Sequence, residues 1–166
     1  MLTTLAFAVP PDAANEKSKA TSPEAEESAK RAIVAKGLKV EVWASEPNLA
    51  NPVSFAFDEK GRCFVVETYR HTDGVTDTRS HMYWLDDDLA CRSVEDRVAM
   101  YKKHKFPAYE KFGEQLRMVW DSTGSGKADK NSVFAGPFNK PEDGVAAGVL
   151  ARKGEVFFAC VILCTS

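Results

Sequence analysis

The chain has no Cys-x-x-Cys pair and so no Cys-x-x-Cys-His. The first absence removes the usual half-site of structural zinc, and the second removes the attachment point of a c-type haem. Neither charge is in excess: 22 Lys and Arg stand against 24 Asp and Glu, a net −2 over 166 residues. Such a balance gives no electrostatic pull towards a phosphate backbone, so nucleic acid is not an expected partner. No apolar run approaches the ~20 residues that a membrane-spanning helix needs. Histidine is scarce, three in all. Of the four cysteines, Cys63 and Cys160 lie inside apolar runs and read as buried free thiols. The spacing leaves open whether Cys160 and Cys164 pair.

What is present is concentrated between Cys63 and Leu89. The apolar run Phe64 to Val66 leads into Glu67, Arg70, His71, Asp73, Asp77, Arg79 and His81, with Asp86, Asp87 and Asp88 behind them. A buried strand that delivers acids, bases and imidazoles to its end is one way to set a site on a rigid element. A solvated loop of internal ion pairs collects the same residue types.

Around this stretch the pattern is mostly β. Met1 to Val9 is apolar, with Ala6-Phe7-Ala8 in the small-x-small form of a signal-peptidase site, but no Lys or Arg precedes Lys17. It reads as a signal remnant, followed by a disordered linker to Thr21. Ser22-Pro23-Glu24 is a helix start, and Gly37 suits its end, so the spacing predicts a helix over 23–36. Leu38, Val40 and Val42 alternate with Lys39, Glu41 and Trp43, as a half-buried strand does. Val53 to Phe57, a turn at Asp58-Glu59-Lys60-Gly61, and Arg62 to Thr68 form a hairpin. Ser93 caps a helix that ends near His104, since Pro107 bars its continuation. Gln115 to Trp120 and Lys130 to Phe134 are strands, and Val145 to Ala151 with Glu155 to Leu163 make a second hairpin.

Between Trp120 and Lys130 the sequence imitates a calcium loop. Asp121, Thr123, Ser125 and Asp129 supply oxygen at the first, third, fifth and ninth places, with Gly126 at the sixth. Two carboxylates stand where a calcium loop has four or five, so a Gly-rich turn is the better expectation. The two hairpins also resemble each other: Phe57-Asp-Glu-Lys-Gly-Arg-Cys-Phe-Val-Val and Leu150-Ala-Arg-Lys-Gly-Glu-Val-Phe-Phe-Ala. Recurring hairpins of this kind mark propeller blades, which repeat every ~40–50 residues. Gly61 and Gly154 are further apart, which predicts both an intervening blade and an insertion.

The runs Ser22-Pro-Glu, Gly37-Leu-Lys-Val-Glu-Val-Trp-Ala-Ser-Glu-Pro47, Asn51-Pro-Val, Phe57-Asp-Glu-Lys-Gly-Arg62 and Val66-Glu-Thr-Tyr-Arg70 resemble the start of a known propeller. It is that of the membrane-bound dehydrogenases of planctomycetes and verrucomicrobia, which are similar to soluble glucose and sorbosone dehydrogenases. Asp121 to Phe134 and Asp143-Gly-Val-Ala-Ala-Gly-Val-Leu-Ala-Arg152 resemble the next blade. The resemblance covers about residues 22–161.

The resemblance implies a mainly β fold: an incomplete β-propeller over 22–166, with an N-terminal helix and a helical insertion at about 69–112. It implies a secreted or periplasmic protein that oxidises a sugar or alcohol with pyrroloquinoline quinone and calcium. Haem c would belong only to a further C-terminal part. In that scheme His71 or His81 is the base and Arg70 or Arg79 the electrophile, while Glu67 and Asp77 orient them. The sequence stops in mid-strand, as a fragment of a longer propeller would, and such a fragment alone is expected to be inactive. The alternative is a non-catalytic propeller module binding carbohydrate or protein, with Tyr69, Tyr83 and Trp84 as stacking candidates.

Overall fold

Strand β4, Cys63–Thr68, is buried along its whole length and on both faces. Its sequence permits this: Cys-Phe-Val-Val carries no charge, and the first acid, Glu67, comes only at its end. In the computed structural model, which describes residues 2–8, 16–17, 21–70, 78–105 and 110–161, β4 is the hub of the architecture. It pairs antiparallel with β3, Pro52–Phe57, and with β5, Glu114–Trp120. β6, Lys130–Phe138, extends the sheet on the far side of β5, and the two-residue β2, Glu16–Lys17, closes its edge. The sheet therefore runs β2-β6-β5-β4-β3.

A second sheet packs against the first. It contains β1, Leu2–Ala8, β7, Val145–Arg152, and β8, Glu155–Val161, in the order β1-β8-β7. Period-two alternation sorts the side chains between the two faces of β4. Phe64 and Val66 point to the sheet–sheet core, where they meet Leu116, Met118, Val156 and Phe158. The Phe138 and Phe158 rings stack there with centroids 4.9 Å apart. Cys63 and Val65 face the other way, with Val119 and against Trp43, Ala44 and Leu49. Burial raises the Cys63 thiol to about 11 and, with Glu114 second, the Cys160 thiol to about 12. Both are inert apolar fillers, as their neighbours in sequence suggest.

Mainly β is thus correct, in two antiparallel sheets with a few helices. Several boundaries differ. The first helix, α1, is Pro23–Arg31, capped by the Ser22 hydroxyl, which accepts from the Ala25 N–H at 3.1 Å. It stops well before Gly37 because Ala32 turns extended, and the apolar Ile33 beyond it is fully exposed. The alternating run 38–44 lies outside any strand. Leu2–Ala8, read as a signal remnant, pairs in register with β8. Among the described residues no further sheet separates the two similar hairpins: β5 and β6 complete the sheet that β3 and β4 begin, and the chain between β4 and β5 is an insertion. The two hairpin turns lie side by side, the Lys153 N–H donating to Glu59 Oε1 at 2.8 Å.

The insertion is helical where it is described. Single turns at Thr78–Ser80 and Met82–Trp84 lead into α2, Leu85–Ala90, and α3, Val94–Lys103. Ser93 caps α3, as the sequence leads one to expect, and with Asp96 it forms a full capping box.

Candidate functional site

The polar end of β4 divides into two clusters because alternate residues face opposite ways. Glu67 shares the phase of Cys63 and Val65, and it is fully buried. Its Oε1 accepts from the Ala50 N–H and from Arg117 Nε, each at 2.8 Å. Its Oε2 accepts from Gln115 Nε2 and, at 3.3 Å, from the Tyr69 hydroxyl. Arg117 continues to Asn131 Oδ1 at 2.9 Å. Tyr69 remains 37% exposed, so its ring reaches the surface while its hydroxyl is held from below. Burial and then the Glu67 charge push its phenol above the ordinary tyrosine value.

The second cluster joins the sheets. Glu114 is fully buried in the phase of Leu116 and Met118. Its Oε1 accepts from the Thr68 hydroxyl at 2.8 Å and from the N–H groups of Tyr69 and Arg70 at 3.2 and 3.1 Å. Its Oε2 accepts from the N–H of Ala146, on β7 in the other sheet, at 3.0 Å. Arg70 is also fully buried. Its guanidinium donates to three main-chain carbonyls: Phe112 at 2.9 Å, Lys140 at 2.9 Å and Gly144 at 2.5 Å. Lys140 and Gly144 flank the link from β6 to β7. Gly144 sits at φ +71°, a left-handed value that glycine adopts without strain. Arg70, read as a candidate electrophile, therefore has its guanidinium turned onto the backbone of the sheet junction.

The remaining candidates are elsewhere. His81 is half-buried, its ring stacked on Trp84 at 4.7 Å and its Nδ1 2.9 Å from the Ser80 hydroxyl. Trp84 is buried between His81 and His104, so it is core, while Tyr83 stands exposed. His104 Nε2 lies 2.7 Å from Asp87 Oδ2, which Lys103 also contacts. Those contacts hold the Asp87 carboxyl below its usual range, Lys103 contributing most. Arg79 is exposed in its single turn. His71 and Asp77 lie outside the described residues, as does Asp73.

Glu114, Gln115 and Arg117 are the members that sequence reasoning missed. One signal was available. Glu114 occupies the same alternation phase as Leu116, Met118 and Trp120, so an acid stood at a core position.

The 121–129 loop does not fit calcium. Asp121 Oδ1 accepts from the N–H groups of Thr123 and Gly124, and Oδ2 from that of Gly126 at 2.7 Å. Asp129 is bound through both oxygens by Ser122. Partial desolvation acts to raise the Asp121 carboxyl. The amides of Gly126, Ser125 and Thr123 outweigh it and bring the group down to about 2. The carboxylates thus serve the loop's own amides, and no third carboxylate joins them. Among the described residues no group of three or more His, Cys, Asp or Glu could hold a metal. Pyrroloquinoline quinone is a tricarboxylate and needs cations facing a cleft. Arg70 and Arg117, the cations that meet the two strand-end clusters, are turned onto backbone carbonyls and onto Glu67 and Asn131, so these residues do not fit it.

No described helix is long and apolar enough to cross a membrane. No curated protein and no solved structure matches the chain. One family does match, over residues 24–160, described as a domain of unknown function, DUF7133. That match takes in α1, both clusters and the hairpins of both sheets, and the chain belongs to this family.

Proposed function

We propose that the two sheets are consecutive blades of a β-propeller and that this chain is a non-catalytic module of a secreted protein, binding carbohydrate at the exposed ring of Tyr69. The observation that carries the reading is the tie between Tyr69 and Glu67 at 3.3 Å, with Gln115 3.3 Å from the same hydroxyl. A partly exposed aromatic ring fixed by its polar tip loses little entropy when a sugar face stacks on it. Gln115 and Arg117 beside it are only half-buried and are polar groups of the kind that orient hydroxyls, while the buried Glu67 holds the ring in place.

The same geometry counts against turnover by this chain. Glu67, Glu114 and Arg70 are buried and surrounded by hydrogen-bond partners, which suits framework groups better than groups that exchange protons with a substrate. The oxidation of sugar or alcohol implied by the family resemblance would then belong to a longer chain, with His71 or His81 as base.

Calorimetric titration of the full chain with neutral oligosaccharides tests the proposal. Binding should be lost in Tyr69→Ala and kept in Tyr83→Ala. Absence of binding in the parent chain, or equal loss in both variants, overturns it. Quinone-dependent dye reduction by this chain, abolished by His81→Ala, would favour the dehydrogenase instead.

A further inference from the structure

The most regular β pattern in the chain makes no strand. Leu38-Lys39-Val40-Glu41-Val42 alternates apolar and charged residues, yet it lies outside every strand and helix, with Leu38 68% and Val40 46% exposed. Among the described residues no backbone hydrogen bond is recorded for residues 39–42. The segment is anchored at its far end, where the Trp43 carbonyl accepts from the Ala128 N–H at 2.9 Å. Val40, Glu41, Val42 and Trp43 line an open, largely apolar cleft of about 670 Å³ with Phe55 and Phe57. An unpaired segment of high β propensity with exposed apolar side chains is a template for another strand.

The sequence itself says which strand fits. Aligned antiparallel on a second copy about Val40, Leu38 meets Val42, Lys39 meets Glu41, and Val40 meets Val40. Every apolar residue then faces an apolar one, and both charged positions face the opposite sign. Within one copy Lys39 Nζ and Glu41 Oε1 are already 3.0 Å apart, so both charges stand on one side of the segment. Paired copies would present a ring of four alternating charges there and a continuous apolar stripe on the other side. A two-fold contact must be self-complementary, and this run is.

We propose that residues 38–42 form an intermolecular antiparallel ribbon with a second copy of this chain, giving a two-fold dimer. Lys39 and Glu41 set its register, and Leu38, Val40 and Val42 are covered.

Sedimentation equilibrium of the full chain tests this. A reversible dimer is expected. Glu41→Lys sets Lys against Lys at two places across the two-fold and should weaken dimerisation about tenfold or more. Adding Lys39→Glu to Glu41→Lys restores opposite signs and should recover the parent constant to within about threefold. All three proteins should share one far-UV spectrum, since these side chains are exposed. As an independent reading, Val40→Cys should cross-link into a disulfide dimer on mild oxidation, whereas the exposed control Ile33→Cys should not. A monomer throughout, or a dimer indifferent to the charge swap with no Val40→Cys cross-link, overturns the proposal.

Discussion

The main-chain N–H of Arg70 donates to the buried carboxylate of Glu114 at 3.1 Å, while the Arg70 side chain reaches past it to the carbonyls that lead into β7. The two residues are 44 positions apart and hold the same junction from two directions. Glu114 ties the end of β4 to the start of β7 in the second sheet through Ala146. Arg70 clasps the Lys140–Gly144 link that joins the sheets. A charge withdrawn from water is costly unless it is well bonded, and here each has several partners.

The Glu67 cluster predicts a second stability centre. In Glu67→Gln, Arg117 loses its counter-charge, and an amide replaces one of the accepting oxygens. The loss should be about 2–4 kcal/mol, read by urea unfolding. A change within about 0.5 kcal/mol, normal for a surface site, would mean that Glu67 is not structural.

Asp121 predicts an acid-sensitive loop. Its folded carboxyl lies at about 2, below the value of about 3.9 for an unfolded chain. A depressed carboxylate contributes stability that is present above the unfolded value and lost as pH falls towards the folded one. Protection of the Gly126 amide, which donates to Asp121, should therefore fall between about pH 4 and pH 2. Asp121→Asn should lack that pH-dependent step. A step of the same size in the variant would assign it to another group.

Calcium should leave the melting temperature of the chain unchanged, because Asp121 and Asp129 are occupied within the loop. Adding Thr123→Asp and Ser125→Asp supplies the missing carboxylates. The melting temperature of that variant should then rise with the logarithm of calcium concentration. A calcium-dependent rise in the parent chain would contradict the reading of the loop.

Between the sheets, Leu116→Ala should cost about 2–5 kcal/mol, since Leu116 is fully buried among Phe64, Val66 and Phe158. Phe55→Ser, at a ring that is 65% exposed on the edge strand, should cost far less. Comparable losses at the two positions would misplace the core.

Both hairpins and their turns were legible because period-two alternation and a Lys-Gly turn are local signals. The Ser93 N-cap was legible for the same reason. The 38–44 run shows the limit: its alternation is real, but a strand needs a partner, and sequence pattern cannot supply one. Gly37 has the look of a helix terminus, but the helix ends at Arg31 and Ile33 beyond it is fully exposed. At the strand end the polar run is legible as a cluster, from composition alone. Glu67 and Arg70 were found, but their burial depends on Gln115, Arg117 and Glu114, which lie more than forty residues on.

The central claim is that the buried charges at the sheet junction hold the fold together, and urea unfolding of Arg70→Met, Glu114→Gln and the double variant tests it. Each single change should cost about 3 kcal/mol or more, in one cooperative transition. The double should cost less than the sum, because both residues serve the same junction. Midpoints equal to that of the parent chain in both single variants would contradict a structural role for these charges.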